Sequence, residues 1–145
     1  MPSEIHGTVE ELLARAGQRY TPVRRATVDA LSSAARPLTI VEIIAAARAQ
    51  LAQSSVYRTL AVLEEVGVVH RLTGPPGFAR YELDESLTEH HHHLVCTSCG
   101  TVEDLPASTR LEKTVALAAA EVAAGSGFTL QGHRLDLVGI CASCE

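Results

Sequence analysis

The chain is 145 residues long, carries a formal net charge of −5 and is 46% hydrophobic, so it can form one domain or two small ones with packed cores. Aromatic residues make up only 3% and Trp is absent, which leaves Ala, Leu, Val and Ile to build those cores. Apolar runs fall short of the roughly 18 residues of a membrane span, and the start does not resemble a signal peptide. We therefore expect a cytoplasmic protein whose thiols stay reduced.

The negative charge is unevenly divided along the chain. Residues 1–75 hold eight Arg and seven acidic residues, a balance of +1, whereas residues 76–145 hold four basic and ten acidic residues, a balance of −6. The first half can therefore approach a polyanion, and the second half is suited to binding cations.

Two helices are expected first. Residues 9–16 have a short helical pattern that Gly17 ends, and Thr21 followed by Pro22 is typical of a helix start, with a capping hydroxyl and Pro in the first turn. The second helix has an apolar face with one polar member. The residues of that face are Val23, Ala26, Thr27, Ala30 and Leu31.

Two further helices follow. Thr39 and Glu42 have the spacing of a capping box, which predicts a helix as far as Ala49. Ser54 is the expected N-cap of the fourth helix, and Gly67 its end. The buried face of that helix is expected to comprise Val56, Leu60, Leu63 and Val66.

A β-hairpin is expected next, with strands over 68–72 and 78–83 joined by a turn at 73–77 that is rich in Gly and Pro. Helices followed by such a hairpin form a winged helix-turn-helix domain. In that architecture the last helix enters the major groove of DNA.

The fourth helix and the wing carry the candidate DNA contacts. Tyr57, Arg58 and Thr59 are expected to face outward near the helix start, and Arg71 and Arg80 of the wing are candidate phosphate contacts. The alternative for this half of the chain is a helical dimerisation or scaffold module whose arginines are incidental.

The acidic segment after the hairpin marks the expected boundary between a domain over 1–84 and a second domain over 85–145. The second domain has a strand pattern at 101–105, a helix from about 108 to 124 and a last strand within 128–138. A small sheet with one helix cannot bury its apolar helix face and its exposed edge, so we predict a two-fold homodimer. The fold class is α/β of the α+β type.

Two Cys-x-x-Cys pairs, Cys96 with Cys99 and Cys141 with Cys144, account for all four cysteines. Each pair can turn both sulfurs toward one ion, so together they have the ligands of a tetrahedral thiolate zinc site. The alternative is a pair of redox dithiols, but neither pair has the helix-opening context of the thioredoxin type. We expect a structural Zn2+ ion.

Four consecutive histidines, His90 to His93, precede the first Cys pair. If the segment is a strand, as the two apolar residues after it indicate, His91 and His93 face one way and His90 and His92 the other. One strand could then contribute to two further metal sites. The alternative is a solvated polar tract.

Taken in order, Ser-Ser-Val-Tyr-Arg-Thr-Leu at 54–60, the segment 90–100 and the closing Cys pair resemble the ferric-uptake-regulator family of metal-sensing repressors. The similarity extends over nearly the whole chain and includes Thr-Pro-x-Arg at 21–24. It implies a homodimer that binds a palindromic double-stranded DNA operator when its regulatory metal is loaded, and so represses metal-uptake or stress genes. The DNA contacts expected on this basis come from Arg24, Ser54, Ser55, Tyr57, Arg58, Thr59 and Arg71.

The resemblance also implies where metals bind. The structural zinc falls on the four cysteines, and a regulatory site between the domains falls on Glu82, His91 and His93. A further site in the dimerisation domain falls on His90, His92, Glu112 and His133.

The chain differs from its relatives at the regulatory site. Iron- and peroxide-sensing members usually supply a His before the third helix, where this chain has residues 36–38, Arg-Pro-Leu. Zinc-sensing members often use an acidic residue at the start of the wing, where this chain has His70. Three imidazoles and one carboxylate suit tetrahedral zinc, with iron(II) the next choice, ahead of nickel or a peroxide response. We therefore predict a hinge site of His70, Glu82, His91 and His93, with Asp104 as a fifth candidate.

Two other classes of function fit parts of the pattern. A zinc hydrolase would use the His cluster with Glu89 or Glu112 as general base, but the sequence has no His-Glu-x-x-His motif, and we predict no enzymatic activity. A metal-buffering or redox protein without a DNA partner fits the metal ligands alone. Salt-dependent binding to an inverted-repeat operator separates a repressor from both.

Overall fold

The computed structural model describes residues 2–34, 36–72 and 79–145, in which five α-helices and five strands lie. None of the described helices has the length and apolar composition needed to cross a membrane. A run of four helices precedes the strands instead of alternating with them, as the predicted α+β class requires. The elements are α1 (Pro2–Arg15), α2 (Pro22–Ser33), α3 (Ile40–Ala46), α4 (Gln53–Glu65), β1 (Val69–Leu72), β2 (Arg80–Leu83), β3 (His91–Cys96), β4 (Val102–Pro106), α5 (Thr109–Ser126) and β5 (Asp136–Gly139).

The start of α2 is as the sequence predicts. The Thr21 hydroxyl accepts a hydrogen bond from the Arg24 amide at 3.3 Å, and Pro22 occupies the first turn. The buried Thr27 hydroxyl donates to the Val23 carbonyl at 2.9 Å, so the one polar residue on that face is satisfied. Val28 is also fully buried, although the predicted face omitted it.

Helix α1 is longer than the predicted 9–16. It begins at Pro2 because its first turns also have partners: Ile5 packs against the core, and His6 hydrogen-bonds Tyr20 and Asp29. These contacts lie far apart in the sequence, so local pattern alone could not place them.

The capping box at the start of α3 is confirmed. The Glu42 amide donates to the Thr39 hydroxyl at 3.2 Å, and the Thr39 amide donates to the Glu42 carboxylate at 3.1 Å. The helix ends at Ala46 rather than Ala49. The prediction that Ser54 caps α4 is wrong, because the helix already begins at Gln53 and its N-cap has no side-chain hydrogen bond.

Replacing Thr39 by Ala is expected to lower the free energy of unfolding by about 1 kcal/mol, the usual effect of losing an N-cap hydroxyl. Thermal melting of the variant measures this. Thr114→Ala is a matched control, because the Thr114 hydroxyl bonds the Arg110 carbonyl within α5 and caps nothing. Equal melting temperatures for the two variants would contradict a stabilising role for the cap.

The hairpin packs its strands against the helical core. Strands β1 and β2 are antiparallel, with His70 opposite Glu82 and Val69 opposite Leu83, and every residue of β2 is buried. The predicted turn at 73–77 lies outside the described residues. One core cluster joins α1 to α4 with both strands, which is the packing of a winged helix.

The second sheet has the order β4-β3-β5, with β3 antiparallel to β4 and parallel to β5. Helix α5 is the crossover between the edge strands, and the Ser108 hydroxyl caps it by accepting from the Leu111 amide at 3.1 Å. No described residue of α5 is buried, and Leu117 and Val122 are 70% and 60% exposed. The sheet with its helix thus leaves an uncovered apolar surface, as the sequence predicted.

Candidate metal centres and nucleic-acid interface

The four cysteine sulfurs converge at one end of the second sheet. Cys96 ends β3, the following turn presents Cys99, and the chain after β5 presents Cys141 and Cys144. All four sulfurs lie within 4.8 Å of one another, and the Cys99 and Cys141 sulfurs are 3.7 Å apart. Thiolates bound at about 2.3 Å to a tetrahedral zinc ion lie about 3.8 Å apart, so this spacing fits zinc.

Backbone hydrogen bonds in this cluster lower the pKa of one cysteine thiol. Hydrogen bonds from the backbone amides of Cys99 and Cys141 are the main cause that lowers the pKa of Cys96 to about 6. These hydrogen bonds favour the Cys96 thiolate, and a thiolate is the form that binds metal.

A second cluster lies between the winged helix and the second sheet. Glu82 Oε2 on β2 is 3.0 Å from His91 Nε2 and 3.0 Å from His93 Nε2, both on β3. Asp104 Oδ1 on β4 is 3.8 Å from the first of these nitrogens and 4.0 Å from the second. The alternation of β3 puts both imidazoles on one face, as the sequence predicted.

Two atoms of this region lack hydrogen-bond partners. Asp104 Oδ1 and His70 Nδ1 are buried and unpaired. An unpaired buried acceptor is costly, and a cation between Asp104 and the two imidazoles would remove that cost. The donor set of two imidazoles and two carboxylates therefore fits a divalent metal.

The structure gathers Asp104, and not His70, into the donor cluster of Glu82, His91 and His93. His70 contacts the other oxygen of the same carboxylate. Its Nε2 lies 2.7 Å from Glu82 Oε1, whereas the imidazoles of His91 and His93 contact Oε2. The sequence placed His70 beside Glu82 correctly. It could not tell which of the two carboxylate oxygens His70 contacts, because that depends on side-chain rotamers.

The electrostatics of this cluster agree with its geometry. Burial disfavours the charge of Glu82, but hydrogen bonds from His70, His93 and His91 outweigh this and lower its pKa well below the usual range. For His93, burial opposes protonation, yet the Glu82 carboxylate raises its pKa. Metal binding at these imidazoles therefore competes with their protonation.

The second ring nitrogen of His93 also has a partner, which fixes the orientation of the ring. Its Nδ1 lies 3.2 Å from Asp136 Oδ1 on the neighbouring strand β5, so Nδ1 carries the hydrogen and Nε2 is left to face Glu82. This is the usual second contact of a metal-binding imidazole. Asp136 was not predicted as a site residue, although it lies within the predicted last strand at 128–138.

A third cluster lies on the other face of β3. His92 Nε2 is 2.5 Å from Glu112 Oε1, and Glu112 Oε2 is 2.9 Å from His133 Nε2 and 3.2 Å from His90 Nε2. The His90 and His133 nitrogens are themselves 3.2 Å apart. The structure thus brings together all four residues assigned to the further site, Glu112 included. His92 Nδ1 is buried without a partner.

The candidate DNA surface is partly as expected. Tyr57 is 55% exposed, and Arg58 and Arg71 are exposed. Thr59 is buried, so its predicted outward position is wrong: it lies on the face of α4 that carries Val56.

Two arginines of the winged helix are engaged within the protein. Arg24 donates to the Arg19 carbonyl at 2.7 Å and to Gln18. Arg80 is 8% exposed and is bound by protein groups, which contradicts its predicted contact with DNA phosphate.

Comparisons with known proteins agree with this architecture. A sequence profile described as the ferric uptake regulator family matches residues 15–138. The chain is 30% identical over 140 residues to the peroxide operon regulator of Bacillus subtilis, covering 93% of this chain and 90% of that protein. Its fold matches that of the Helicobacter pylori ferric uptake regulator Fur with a TM-score of 0.78 at 24% identity, over 99% of this chain and 93% of that one. A zinc uptake regulator complexed with zinc and DNA is 25% identical, with a TM-score of 0.57 over 99% of this chain and 95% of that one.

The profile match and the 30% identical relative place the chain among the metal-responsive transcription regulators. The chain belongs to the ferric uptake regulator family.

Proposed function

We propose that the protein is a homodimeric repressor whose operator binding is switched by a divalent metal held by Glu82, His91, His93 and Asp104. One observation carries this proposal: a buried carboxylate of the wing lies 3.0 Å from each of two imidazoles of the second sheet. An ion at that point bonds both domains, which we take to meet near residue 84. A metal that only stabilised one domain would not need ligands from both domains.

The mechanism is a shift between two arrangements of the domains. Glu82 on β2, His91 and His93 on β3 and Asp104 on β4 would hold the metal, which would supply a bond between the two domains. Glu82 on the wing strand then cannot move away from the β3 imidazoles, which limits the angle between the winged helix and the dimer domain. A near-complete switch requires the metal to favour the binding-competent arrangement by on the order of 5 kcal/mol.

Zinc is the proposed regulatory metal, with iron(II) the alternative. The two imidazoles and two carboxylates would provide the four ligands that zinc prefers, whereas iron(II) would require one or two more. His70 would act from outside that shell by holding Glu82 Oε1, which directs Oε2 to the ion. Titrating the purified protein with zinc and with iron(II) while measuring operator affinity decides between them.

The cysteine cluster is proposed to hold a structural zinc that keeps the dimer domain folded. The exposed apolar face of α5 and the edge residues Leu137, Val138 and Ile140 are proposed to be covered by a second copy. A dimer also suits a palindromic operator, since each recognition helix then meets one half-site.

Replacing Arg58 by Ala is expected to weaken operator binding and to reduce the slope of log affinity against log salt by about 1, because one phosphate contact is lost. Fluorescence anisotropy at several salt concentrations measures the slope. Arg110→Ala, which removes an exposed Arg of α5, serves as the matched control and should leave the slope unchanged. An unchanged slope for Arg58→Ala would remove Arg58 from the DNA interface.

A further inference from the structure

Arg80 has an unusual position for a charged residue of a wing strand. Its side chain is buried, and its guanidinium donates in two directions: Nε to the Gly100 carbonyl at 3.0 Å and Nη1 to Glu42 Oε1 at 2.8 Å. A buried guanidinium is stable only when such partners hold it. Both contacts therefore constrain what surrounds Arg80.

The two partners belong to different parts of the molecule. Glu42 is the carboxylate of the α3 capping box, inside the winged helix. Gly100 closes the turn that presents Cys96 and Cys99, and it adopts a left-handed φ of 76°. The Gly100 amide donates to the Cys96 carbonyl at 3.0 Å, so the same turn that positions the sulfurs also positions the carbonyl that Arg80 uses.

The Glu42 carboxylate that accepts the hydrogen bond from Arg80 is ionised. Desolvation disfavours its ionisation, but hydrogen bonds from Arg36 and Thr39 outweigh it and lower the pKa of Glu42 to about 2. Arg36 Nη2 binds the second carboxylate oxygen at 2.5 Å. The carboxylate is thus an ionised anchor at any pH at which the protein would bind DNA.

Arg80 and Glu82 are two residues apart on β2, so they point to the same side of the strand. The first reaches the cysteine turn and the second reaches the β3 imidazoles, and both of these lie in the second domain. The Arg80 contact uses protein groups alone. It can therefore form before any metal occupies the cluster around Glu82.

We propose that Arg80 is a positioning residue that fastens the winged helix to the cysteine turn and thereby places Glu82 for metal binding. This link between the domains does not require the regulatory metal. The effect on metal binding rests on the proposed function, whereas the contact between domains does not. The cysteine turn then affects DNA binding through a second route besides the stability of the dimer.

The test uses the full-length dimer with its cysteine site filled and no regulatory metal. In Arg80→Gln and Arg80→Lys, amide hydrogen exchange across residues 84–90 is expected to be faster than in the wild type, because the Gly100 carbonyl loses its partner. Zinc affinity, measured against a chromophoric chelator, is expected to fall about 10-fold, the lower range for loss of an outer contact at a metal site. Lysine keeps the charge for Glu42 but lacks the second donor of the guanidinium fork, so it tests the Gly100 contact separately.

Arg36→Gln is the matched control. Arg36 binds the same Glu42 carboxylate and the Pro37 carbonyl, both within the winged helix, and its side chain is 43% exposed. It should leave exchange over 84–90 unchanged, because neither of its contacts reaches the second domain. The proposal is overturned if both Arg80 variants exchange at the wild-type rate, or if Arg36→Gln has the same effect. Absence of zinc binding by the wild type would instead contradict the proposed function, and the exchange result would still decide the role of Arg80.

Discussion

Replacing Cys96 by Ser is expected to abolish the dimer and the cooperative melting of the C-terminal half of the protein. Cys96 is 4% exposed, and its sulfur also accepts a hydrogen bond from the Cys141 amide at 3.3 Å. It therefore joins the turn after β3 to the last segment of the chain. Structural zinc sites contribute on the order of 10 kcal/mol of folding free energy. Within one chain, α5 has no buried residues on the second sheet that could make up for this loss.

Analytical ultracentrifugation and near-ultraviolet circular dichroism measure these losses, and zinc content should fall in parallel. Ser143→Ala changes a residue between Cys141 and Cys144 without removing a sulfur, so it should retain the wild-type mass and melting curve. A Cys96→Ser protein with an unchanged dimer mass would show that the cysteine cluster is not structural.

Replacing His91 by Ala is expected to leave a folded dimer that keeps its cysteine-bound zinc but does not respond to added metal in an operator-binding assay. Loss of an outer contact at a metal site usually lowers affinity 10- to 100-fold, so loss of a direct ligand should lower it by at least about 100-fold. His91 is partly exposed on an edge of the cluster, and its removal opens no cavity in the winged-helix core.

His6→Ala is the control for this variant. His6 contacts Tyr20 and Asp29 within the winged helix and belongs to none of the three donor clusters. It should therefore retain the metal response. If the operator affinity of His91→Ala still rose with added metal as it does in the wild type, this imidazole would be excluded from the regulatory site.

Much of the fold follows from local sequence patterns. The capping box of Thr39 and Glu42, the Thr21-Pro22 start and the alternation of the His run each depend on residues a few positions apart, and the structure has all three. Such patterns report backbone geometry directly. The cysteine spacing likewise predicted a cluster that the structure assembles.

Other features depend on distant neighbours and were missed. The extra turns of α1 are held by contacts with α2, and the burial of Arg80 arises from Glu42, 38 residues earlier, and from Gly100, 20 residues later. An Arg on a wing has the same local sequence whether it faces phosphate or a carbonyl. Only the packing of the two domains separates these cases.

The ligands of the hinge site were likewise predicted only in part from the sequence. Glu82 and the two imidazoles follow from strand alternation, but the choice between His70 and Asp104 as the remaining donor depends on side-chain direction. His70 lies across the hairpin from Glu82, and Asp104 lies across the second sheet from His93. Both are neighbours by register, and the structure places only Asp104 within the donor cluster.

A metal ion that joins Glu82 to the β3 imidazoles is proposed to control DNA binding. Operator affinity of wild type and Glu82→Gln, each with the cysteine site filled, should be measured over a zinc titration by fluorescence anisotropy. We predict that zinc tightens wild-type binding by about 100-fold, the upper range of coupling between two sites, and that Glu82→Gln shows almost no response. An equal gain in both proteins would show that a metal at Glu82 does not control DNA binding.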